Sequence, residues 1–223
     1  MEKNLNHEFG DTAMMLGYAE SVKLLKKYNI GHPNAVLIKN ADNFKKSLRF
    51  PVVLKVDSPD VVHKSDIGLV FTGLRNPADV RKSAKAAVKV LNSKKISNYR
   101  LIVQEQLKGV ELIVGMKRDE TFGPVIVFGI GGVLVEIMSD VSMRIAPLTK
   151  QDCLEMIEEI KGRKLLNGYR NLPKVDKKSL VKLLLAISKM SLKEKKISEI
   201  DFNPVIAAGK NILVADARIV KNA

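Results

Sequence analysis

His63 is the side chain in this sequence with the most versatile chemistry. It is one of three histidines, and it lies in a polar segment between two apolar stretches predicted to be strands, 50–56 and 69–74. Near neutral pH an imidazole can act as a base, a metal ligand or a phosphate carrier. The segment alone fits a solvated loop histidine better, so the role of His63 depends on the rest of the chain.

A second group of polar side chains lies near the C-terminus. Glu199, Asp201 and Asn203 occupy every second position of a predicted strand and therefore share one face, and Asp216 lies in the strand predicted to pair with it. Carboxylate and amide oxygens suit Mg²⁺ that keeps part of its water shell and binds substrate phosphates. A solvated polar sheet face fits equally well, because the sequence does not determine the register between the two strands.

Each of the other candidate residues has a functional interpretation and a purely structural one. Lys55 ends an apolar strand, where burial favours a bound anion, but alone it fits a side chain that extends to solvent slightly better. Glu105 lies at a strand end and is typical of a solvated charge, whereas Arg144 fits either a surface position or a phosphate clamp. The glycines at 129–132 match neither common glycine-rich phosphate-binding pattern and are interpreted as a turn between strands.

Composition indicates a folded protein of a reducing compartment. The 223 residues suffice for one large or two small domains, and 46% hydrophobic with 28% charged residues is ordinary for such a chain. The single cysteine, Cys153, excludes an internal disulfide and is interpreted as a helix core residue. Neither a secretory signal nor an apolar stretch near the ~18–20 residues of a membrane span is present. We therefore expect a cytoplasmic protein without a membrane partner.

The net charge of +14 raises the question of a nucleic-acid partner. The lysines are dispersed over predicted helix faces and turns, tryptophan is absent, and aromatic residues make up 5% of the chain. Stacking surfaces for single strands are therefore scarce. A lysine-rich solvated surface is the favoured interpretation, followed by an anionic ligand or an acidic partner.

The order of predicted elements indicates an α+β fold. Helices are predicted over 12–28, after caps at Asn76 and Asp176, and from Thr149 to about 162. Strand hairpins are predicted for 99–107 with 110–116 and for 197–206 with 212–220. Hairpins interrupted by single helices argue against a doubly wound parallel sheet. We place a first lobe at 12–100 and a second at 101–223.

Taken in order, these segments resemble the ATP-grasp β subunit of ADP-forming acyl-CoA synthetases, the acetate–CoA ligases of the succinyl-CoA synthetase-like superfamily. Each motif is weak by itself, and their shared order over about residues 12–220 supports the identification. The segments that carry the resemblance are 21–30, 50–55, 63–68, 104–111, 129–136, 144–147 and 199–204.

The resemblance implies an ATP-grasp fold of two lobes, with mixed or antiparallel sheets and flanking helices. It also implies a ligase in which a CoA-binding α subunit makes an acyl phosphate and takes its phosphoryl group onto a histidine. That group then passes to His63 of this chain and on to ADP, with Mg²⁺ present. The implied assembly is α2β2.

Specific residues match the family's nucleotide and metal sites. By resemblance, Lys55 contacts the nucleotide phosphates, Glu105 lies at the hinge that reads adenine, and Glu111 lies near the ribose. Asn203 and Asp216 match the metal ligands.

Two further residues match the transfer step. Asp201 matches the acid that holds the phosphohistidine near the nucleotide, and Arg144 matches a group that stabilises the moving phosphoryl charge. One position departs from the pattern, because relatives carry two glycines where this chain has Gly68-Leu69. If position 69 needs a positive φ, a leucine there is strained.

Two other functions remain open at this point. A stand-alone ATP-grasp ligase with an acyl-phosphate intermediate would share the fold, but nothing in the chain resembles a site for the acid or for CoA. A basic nucleic-acid-binding module would use the positive charge, which the dispersed lysines disfavour.

Overall fold

The computed structural model describes residues 13–44, 48–59, 68–132 and 140–222. These residues form two compact units. The smaller unit is Pro33–Leu107, and the larger unit combines the described residues up to His32 with those from Lys108 onward. Each unit has its own antiparallel sheet and its own hydrophobic core.

The elements are numbered in chain order. The strands are β1 (Ala13–Met15), β2 (Ala35–Ile38), β3 (Val52–Asp57), β4 (Val70–Leu74), β5 (Arg100–Glu105), β6 (Val110–Asp119), β7 (Gly123–Ile130), β8 (Val141–Ile145), β9 (Ile197–Ala208), β10 (Asn211–Val214) and β11 (Ala217–Asn222). The α-helices are α1 (Tyr18–Lys27), α2 (Pro77–Ser93), α3 (Lys150–Glu159) and α4 (Lys177–Lys193), and 3₁₀ segments span Ala41–Asn43 and Lys161–Asn167.

The smaller unit packs α2 against a sheet with strand order β2-β5-β3-β4. The predicted start of α2 is confirmed, because the Asn76 side chain accepts a hydrogen bond from the Asp79 N–H at 3.0 Å. The apolar stripe of α2 is buried against alternate residues of β3 and β5. The helix residues in this core are Val80, Ala84, Ala87 and Leu91.

The opposite face of the smaller sheet carries the strand residues that alternate with those buried against α2. Lys55 of β3 lies opposite Ile102 of β5, which in turn lies opposite Leu37 of β2. Partner residues in an antiparallel pair share a face, so these side chains point away from α2. We call this surface the Lys55 face.

The larger unit has strand order β1-β11-β9-β6-β7-β8, with β10 paired to the second half of β9. The predicted N-caps of its helices are confirmed. Thr149 and Asp152 form a capping box at the start of α3. At the start of α4, the Asp176 side chain accepts a hydrogen bond from the Ser179 N–H at 2.9 Å. Cys153 is fully buried in this core, as predicted. Burial raises the pKa of its thiol to about 11.

The two faces of the larger sheet carry different side chains. The row Ile126, Met116, Ile200 and Ile219 crosses β7, β6, β9 and β11 and is buried in the core. The adjacent row points the other way, because successive residues of a strand alternate between faces. We call that surface the Asp201 face, and its central row is Met143, Val127, Gly115, Asp201 and Arg218.

Four of the predicted elements are wrong in extent or pairing. The helix expected over 12–28 is a strand, β1, followed by α1, because β1 pairs with β11. The hairpin expected across Lys108-Gly109 does not form: β5 pairs with β2 and β3, whereas β6 pairs with β7 and β9. The strand expected over 212–220 is divided into β10 and β11, and the helix from Thr149 ends at Glu159.

The division into units also differs from the expected lobes at 12–100 and 101–223. Strand β5 completes the smaller sheet, so that unit extends to Leu107. The residues of β1 and α1 group instead with the larger unit, since β1 extends its sheet and Leu24 and Leu25 of α1 lie in its core. Within the described ranges, no helix has the length and apolar character needed to cross a bilayer.

Candidate functional site

Strand β9 presents a row of polar side chains on the Asp201 face. Ile200 and Phe202 are buried in the core, while Glu199 and Asp201 are half-buried and Asn203 is exposed on the other side. The alternation predicted from the sequence is therefore present.

Asn203 and Asp216 lie next to each other where β9 meets the turn before β11. The Asn203 N–H donates to the Asp216 carbonyl oxygen at 3.2 Å, and the Ala215 N–H donates to the Pro204 carbonyl oxygen at 3.0 Å. These bonds set the register that the sequence could not determine. They place Asn203 of β9 opposite Asp216 in the turn before β11, so an amide side chain and a carboxylate belong to neighbouring positions.

This pair of oxygen donors fits Mg²⁺. The ion takes one or two protein carboxylate or carbonyl ligands and fills its other positions with waters and substrate phosphates. Among the described residues, no group of three or more histidine, cysteine or acidic side chains has the arrangement of a complete protein-only metal site. Two oxygen donors from the protein leave positions around such an ion for a phosphate ligand.

Asp201 lies between two different neighbours in its row. On β6 its partner is Gly115, and on β11 its partner is Arg218. Burial raises the pKa of the Asp201 carboxyl above its usual range, whereas the Arg218 guanidinium acts to lower it. The negative charges of Glu199 and Asp216 raise that pKa further.

Arg218 of β11, to which the sequence analysis assigns no role, is the cross-strand partner of Asp201. Its Nη1 atom lies 3.7 Å from Glu199 Oε1, with both side chains half-buried. The pattern Asp216-Ala217-Arg218 contains a usable signal, because residues two apart on a strand share a face. An arginine two positions after a predicted metal ligand therefore has to reach the same polar surface.

Lys55 is buried in the centre of the Lys55 face, with 4% of its surface exposed. The same face holds the buried amide of Gln104, which pairs with Val53 on the neighbouring strand. Burial of an ammonium group is costly unless an anion or hydrogen-bonding partners compensate its charge. The observed burial supports the anion-binding interpretation of Lys55 over the solvated one.

The Glu105 carboxylate is held within the smaller unit. Its Oε2 accepts from Asn34 Nδ2 at 3.2 Å, and its Oε1 accepts from the Arg49 N–H at 3.1 Å. The next residue, Gln106, accepts from the Gly73 N–H at 2.7 Å through its side chain. Both side chains thus fix the end of β5.

Glu111 is exposed on β6 in the larger unit, beside the glycine cluster. The Gly131 N–H donates to the Glu111 carbonyl oxygen at 2.7 Å. The strand predicted after this cluster, 133–137, lies outside the described residues. The Glu111 side chain is therefore exposed beside the hydrogen bond between the Gly131 and Glu111 backbones.

Arg144 lies on the opposite face of the larger sheet from Asp201. Its partner on β7 is Ile126, which is buried in the core. Its guanidinium forms an ion pair with Glu159 of α3 and a longer one, at 3.7 Å, with Glu155. The structure does not bring Arg144 together with Asp201, and the role of Arg144 in stabilising the moving phosphoryl charge stays a prediction.

His63 lies outside the described residues, and the flanking positions resolve the question about Leu69. The positive φ in this part of the chain, +68°, falls on Gly68. Leu69 is fully buried in the core of the smaller unit. The leucine therefore serves as an anchor, and no glycine is required at position 69.

The predicted site residues thus fall into two sets. Asp201, Asn203 and Asp216 come together on the larger sheet, where Glu111 also lies. Lys55 and Glu105 belong to the smaller unit.

The chain matches a family model described as an ATP-grasp domain over residues 10–220. It is 36% identical over 207 residues to the β subunit of acetate–CoA ligase (ADP-forming) I of Pyrococcus furiosus, covering 90% of this chain and 89% of that subunit. It is 40% identical over 211 residues to acetate–CoA ligase (ADP-forming) II of Archaeoglobus fulgidus, covering 93% of this chain but only 30% of that protein.

A solved structure gives a further comparison. It is the dinucleotide-forming acetyl-coenzyme A synthetase 1 of Ca. Korarchaeum cryptofilum with coenzyme A and Mg-AMPPCP, in which a phosphohistidine segment points towards the nucleotide-binding site. It matches with a TM-score of 0.80 and 40% identity, covering 94% of this chain and 93% of that one. The chain thus spans nearly all of some relatives and about a third of others.

Proposed function

Because the chain belongs to the ATP-grasp family, among the β subunits of ADP-forming acetate–CoA ligases, we propose that it is the nucleotide-binding subunit of an ADP-forming acyl-CoA synthetase. The predicted family, the ATP-grasp fold and the ligase class are confirmed. The overall reaction is ADP + phosphate + acyl-CoA ⇌ ATP + acid + CoA. This chain carries out the last step, transfer of a phosphoryl group from His63 to ADP.

The step involves one bond made and one broken. An oxygen of the ADP β-phosphate attacks the phosphorus carried by the His63 imidazole, and the N–P bond breaks with its electron pair returning to the ring. Neutral imidazole is thereby regenerated and ATP is complete. Such a transfer depends mainly on positioning and on neutralised charge.

Asp201 positions the imidazole for this step. An ionised carboxylate on the Asp201 face accepts a hydrogen bond from the ring N–H and so orients the opposite nitrogen. Lys55 neutralises nucleotide phosphate charge, while Glu111 bonds the ribose and the backbone at Glu105 meets the adenine.

Asn203 and Asp216 would hold Mg²⁺. When bound, that ion neutralises the charge of the nucleotide phosphates. The observation that supports the whole proposal is the adjacency of these two oxygen donors to Asp201, on one face of one sheet.

The proposal also requires a partner. A relative of which this chain covers only 30% carries further sequence on the same polypeptide, which supports a CoA-binding α partner, as a further domain or as a separate subunit. A stand-alone ligase predicts acyl-CoA formation by this chain alone, and that result would replace the present proposal.

Phosphopeptide mapping tests the central claim. The chain is incubated with [γ-³²P]ATP and Mg²⁺, and acid-labile, base-stable label is expected on the peptide with His63 and not on His63→Asn. His32→Asn is the matched control and should label normally. A wild-type chain that stays unlabelled even with its α partner contradicts the proposed function.

A further inference from the structure

We propose that the loop of residues 168–174 in the larger unit is a docking surface for an acidic face of the CoA-binding α partner, with Tyr169 and Arg170 at its centre and lysines at its rim. This inference rests on the proposed function, which requires such a partner. It gives a location to positive charge that the phosphoryl transfer does not use. We call this segment the Tyr169 loop.

The Tyr169 loop is closed by backbone hydrogen bonds and anchored by one apolar side chain. The residues that flank it meet where the Val175 N–H donates to the Leu166 carbonyl oxygen at 2.8 Å. Inside the loop, the Leu172 N–H donates to the Tyr169 carbonyl oxygen at 3.0 Å. The Leu172 side chain packs against the core of the larger unit. The loop therefore presents its other side chains from a supported backbone.

Tyr169 is the large apolar side chain of this loop that the core leaves out. It is 50% exposed, and the Arg170 guanidinium carbon lies 5.4 Å from the centre of its ring. A cation at this distance over an aromatic face is attracted by the ring. Tyrosine and arginine are among the side chains that contribute most to binding at the centres of protein interfaces. The pair thus has the composition of an interface centre.

The Arg170 backbone has a conformation that residues with a side chain rarely adopt. Its φ is +53°, in the left-handed region. Such strained residues persist only where the surrounding structure holds them, and they are concentrated at functional sites. Here the closed loop holds Arg170, and its side chain is exposed against Tyr169.

Three exposed lysines form the rim of this surface: Lys174, Lys178 and Lys210. The Gly209 N–H donates to the Lys174 carbonyl oxygen at 3.0 Å, and the Asp176 N–H donates to the Gly209 carbonyl oxygen at 2.8 Å. Hydrogen bonds from Ser179 lower the pKa of the Asp176 carboxyl, and the charges of Lys210 and Lys178 lower that pKa further. The three lysines therefore belong to one region of the larger unit.

The positive charge of this region is not neutralised within the described part of the chain. Segment 161–178 contains seven basic residues and one acidic residue. Lys177 and Arg163 each form an ion pair with Glu158, whereas Arg170 and the rim lysines form none with a described residue. Acidic groups of another molecule would compensate this charge, and complementary charge also steers association.

A protein partner fits this surface better than a nucleic acid does. Single strands are bound by several aromatic side chains on which successive bases stack. Tyr169 is the only aromatic residue of segment 161–178. A tyrosine–arginine centre with lysines kept to the rim is instead typical of a protein interface.

The test measures binding of the full chain to the purified CoA-binding α partner by biolayer interferometry, at low and at physiological salt. Tyr169→Ala and Arg170→Gly are each expected to raise the Kd roughly thirtyfold, the effect of losing a central interface side chain. Arg170→Gly should keep its Tm, because glycine adopts a positive φ without strain. The rim variant, with Lys174, Lys178 and Lys210 changed to glutamine, should associate more slowly and with a weaker salt dependence.

Two controls carry matched changes on other surfaces. The helix variant changes three exposed lysines of α2 to glutamine and so removes the same charge: Lys82, Lys85 and Lys89. Phe122→Ala removes an aromatic side chain that is 62% exposed in the turn between β6 and β7. Both should bind the α partner with the wild-type Kd. Every variant should still label His63 from [γ-³²P]ATP at the wild-type rate.

The possible results are distinct. A wild-type Kd in Tyr169→Ala and Arg170→Gly overturns the inference, and so does an equal loss of affinity in the helix variant. If Tyr169→Ala does not fold, Arg170→Gly and the rim variant decide. A DNA duplex that binds the wild-type chain but not the rim variant, with binding to the α partner unchanged, assigns the surface to nucleic acid and overturns the inference as well. Labelled His63 leaves the proposed function standing in each case. Unlabelled His63 in a chain that binds its α partner through this loop contradicts the proposed function alone.

Discussion

The Lys55 face and the Asp201 face handle charge in opposite ways. On the smaller sheet, one ammonium group is buried among apolar neighbours such as Ile102. On the larger sheet, three carboxylates share their surface with Arg218. A buried ammonium group is costly unless an anion or hydrogen-bonding groups compensate its charge, whereas a cluster of both signs compensates much of its own charge. The two faces should therefore respond differently when a charge is removed.

The largest effect is expected for Lys55→Met. Loss of an ammonium group aimed at phosphate should reduce labelling of His63 from ATP by roughly 10²–10³-fold. The rise in Tm that ATP gives the wild-type chain should be largely lost, because binding to the folded state no longer includes that phosphate contact. Thermal unfolding with and without ATP measures this rise. The exposed Lys39→Met is the control, and equal losses in the two variants would remove the contrast between the faces.

The next effect is expected for Asp216→Ala on the other face. Removing one of two proposed protein ligands should raise the half-saturating Mg²⁺ concentration by about a hundredfold. Mutating residues that only orient a metal ligand already lowers metal affinity by about 10- to 100-fold, so loss of a ligand itself should cost at least as much. Titration of the labelling rate with Mg²⁺ measures this. Glu120→Ala, which removes an exposed carboxylate of the same unit, should leave the titration unchanged. An unchanged Mg²⁺ dependence in Asp216→Ala would show that the metal binds elsewhere.

Asp201→Asn should slow labelling by roughly ten- to hundredfold, because an amide orients the imidazole poorly. The free energy of unfolding of this variant should instead stay the same or rise near neutral pH. Burial raises the pKa of Asp201 in the folded state, so the folded protein loses stability as pH rises from the ordinary carboxyl range through that raised pKa. The asparagine variant lacks this loss and should be at least as stable near neutral pH, with the difference vanishing in acid. Chemical denaturation across pH measures it, and a variant less stable at neutral pH would contradict the prediction.

The smallest effect is expected for Arg144→Met. Its partners Glu155 and Glu159 lie on α3, on the helix side of the larger sheet. Labelling should proceed at the wild-type rate, with a slight fall in Tm, because exposed ion pairs contribute little. A large loss of labelling with an unchanged Tm would show that the helix side takes part in transfer after all.

Strand periodicity explains why part of the site could be predicted. Asp201 and Asn203 share a face because they are two residues apart, and this needs no tertiary information. The pairing of Asn203 with Asp216 depends on the break between β10 and β11 at Ala215, which the sequence left open. The division of the chain at Leu107 was missed because two adjacent strands joined by Lys108-Gly109 look like a hairpin.

Strand β8 shows where the pattern misleads. Met143 and Ile145 alternate with Arg144, so burial of the apolar pair would place the arginine outside. The structure has the reverse: Met143 and Ile145 are 54% and 50% exposed, and Arg144 faces the helix side. Two glutamates on α3 make that position favourable for an arginine, and helix partners of this kind are not visible from local periodicity.

The burial of Cys153 has a practical consequence. With its thiol enclosed and its pKa near 11, almost none of the reactive thiolate exists at neutral pH. The native chain should consequently behave toward maleimide dyes as though it contained no cysteine. Single cysteines engineered on the surface can then carry a fluorophore or spin label at one chosen place, without first replacing the natural one.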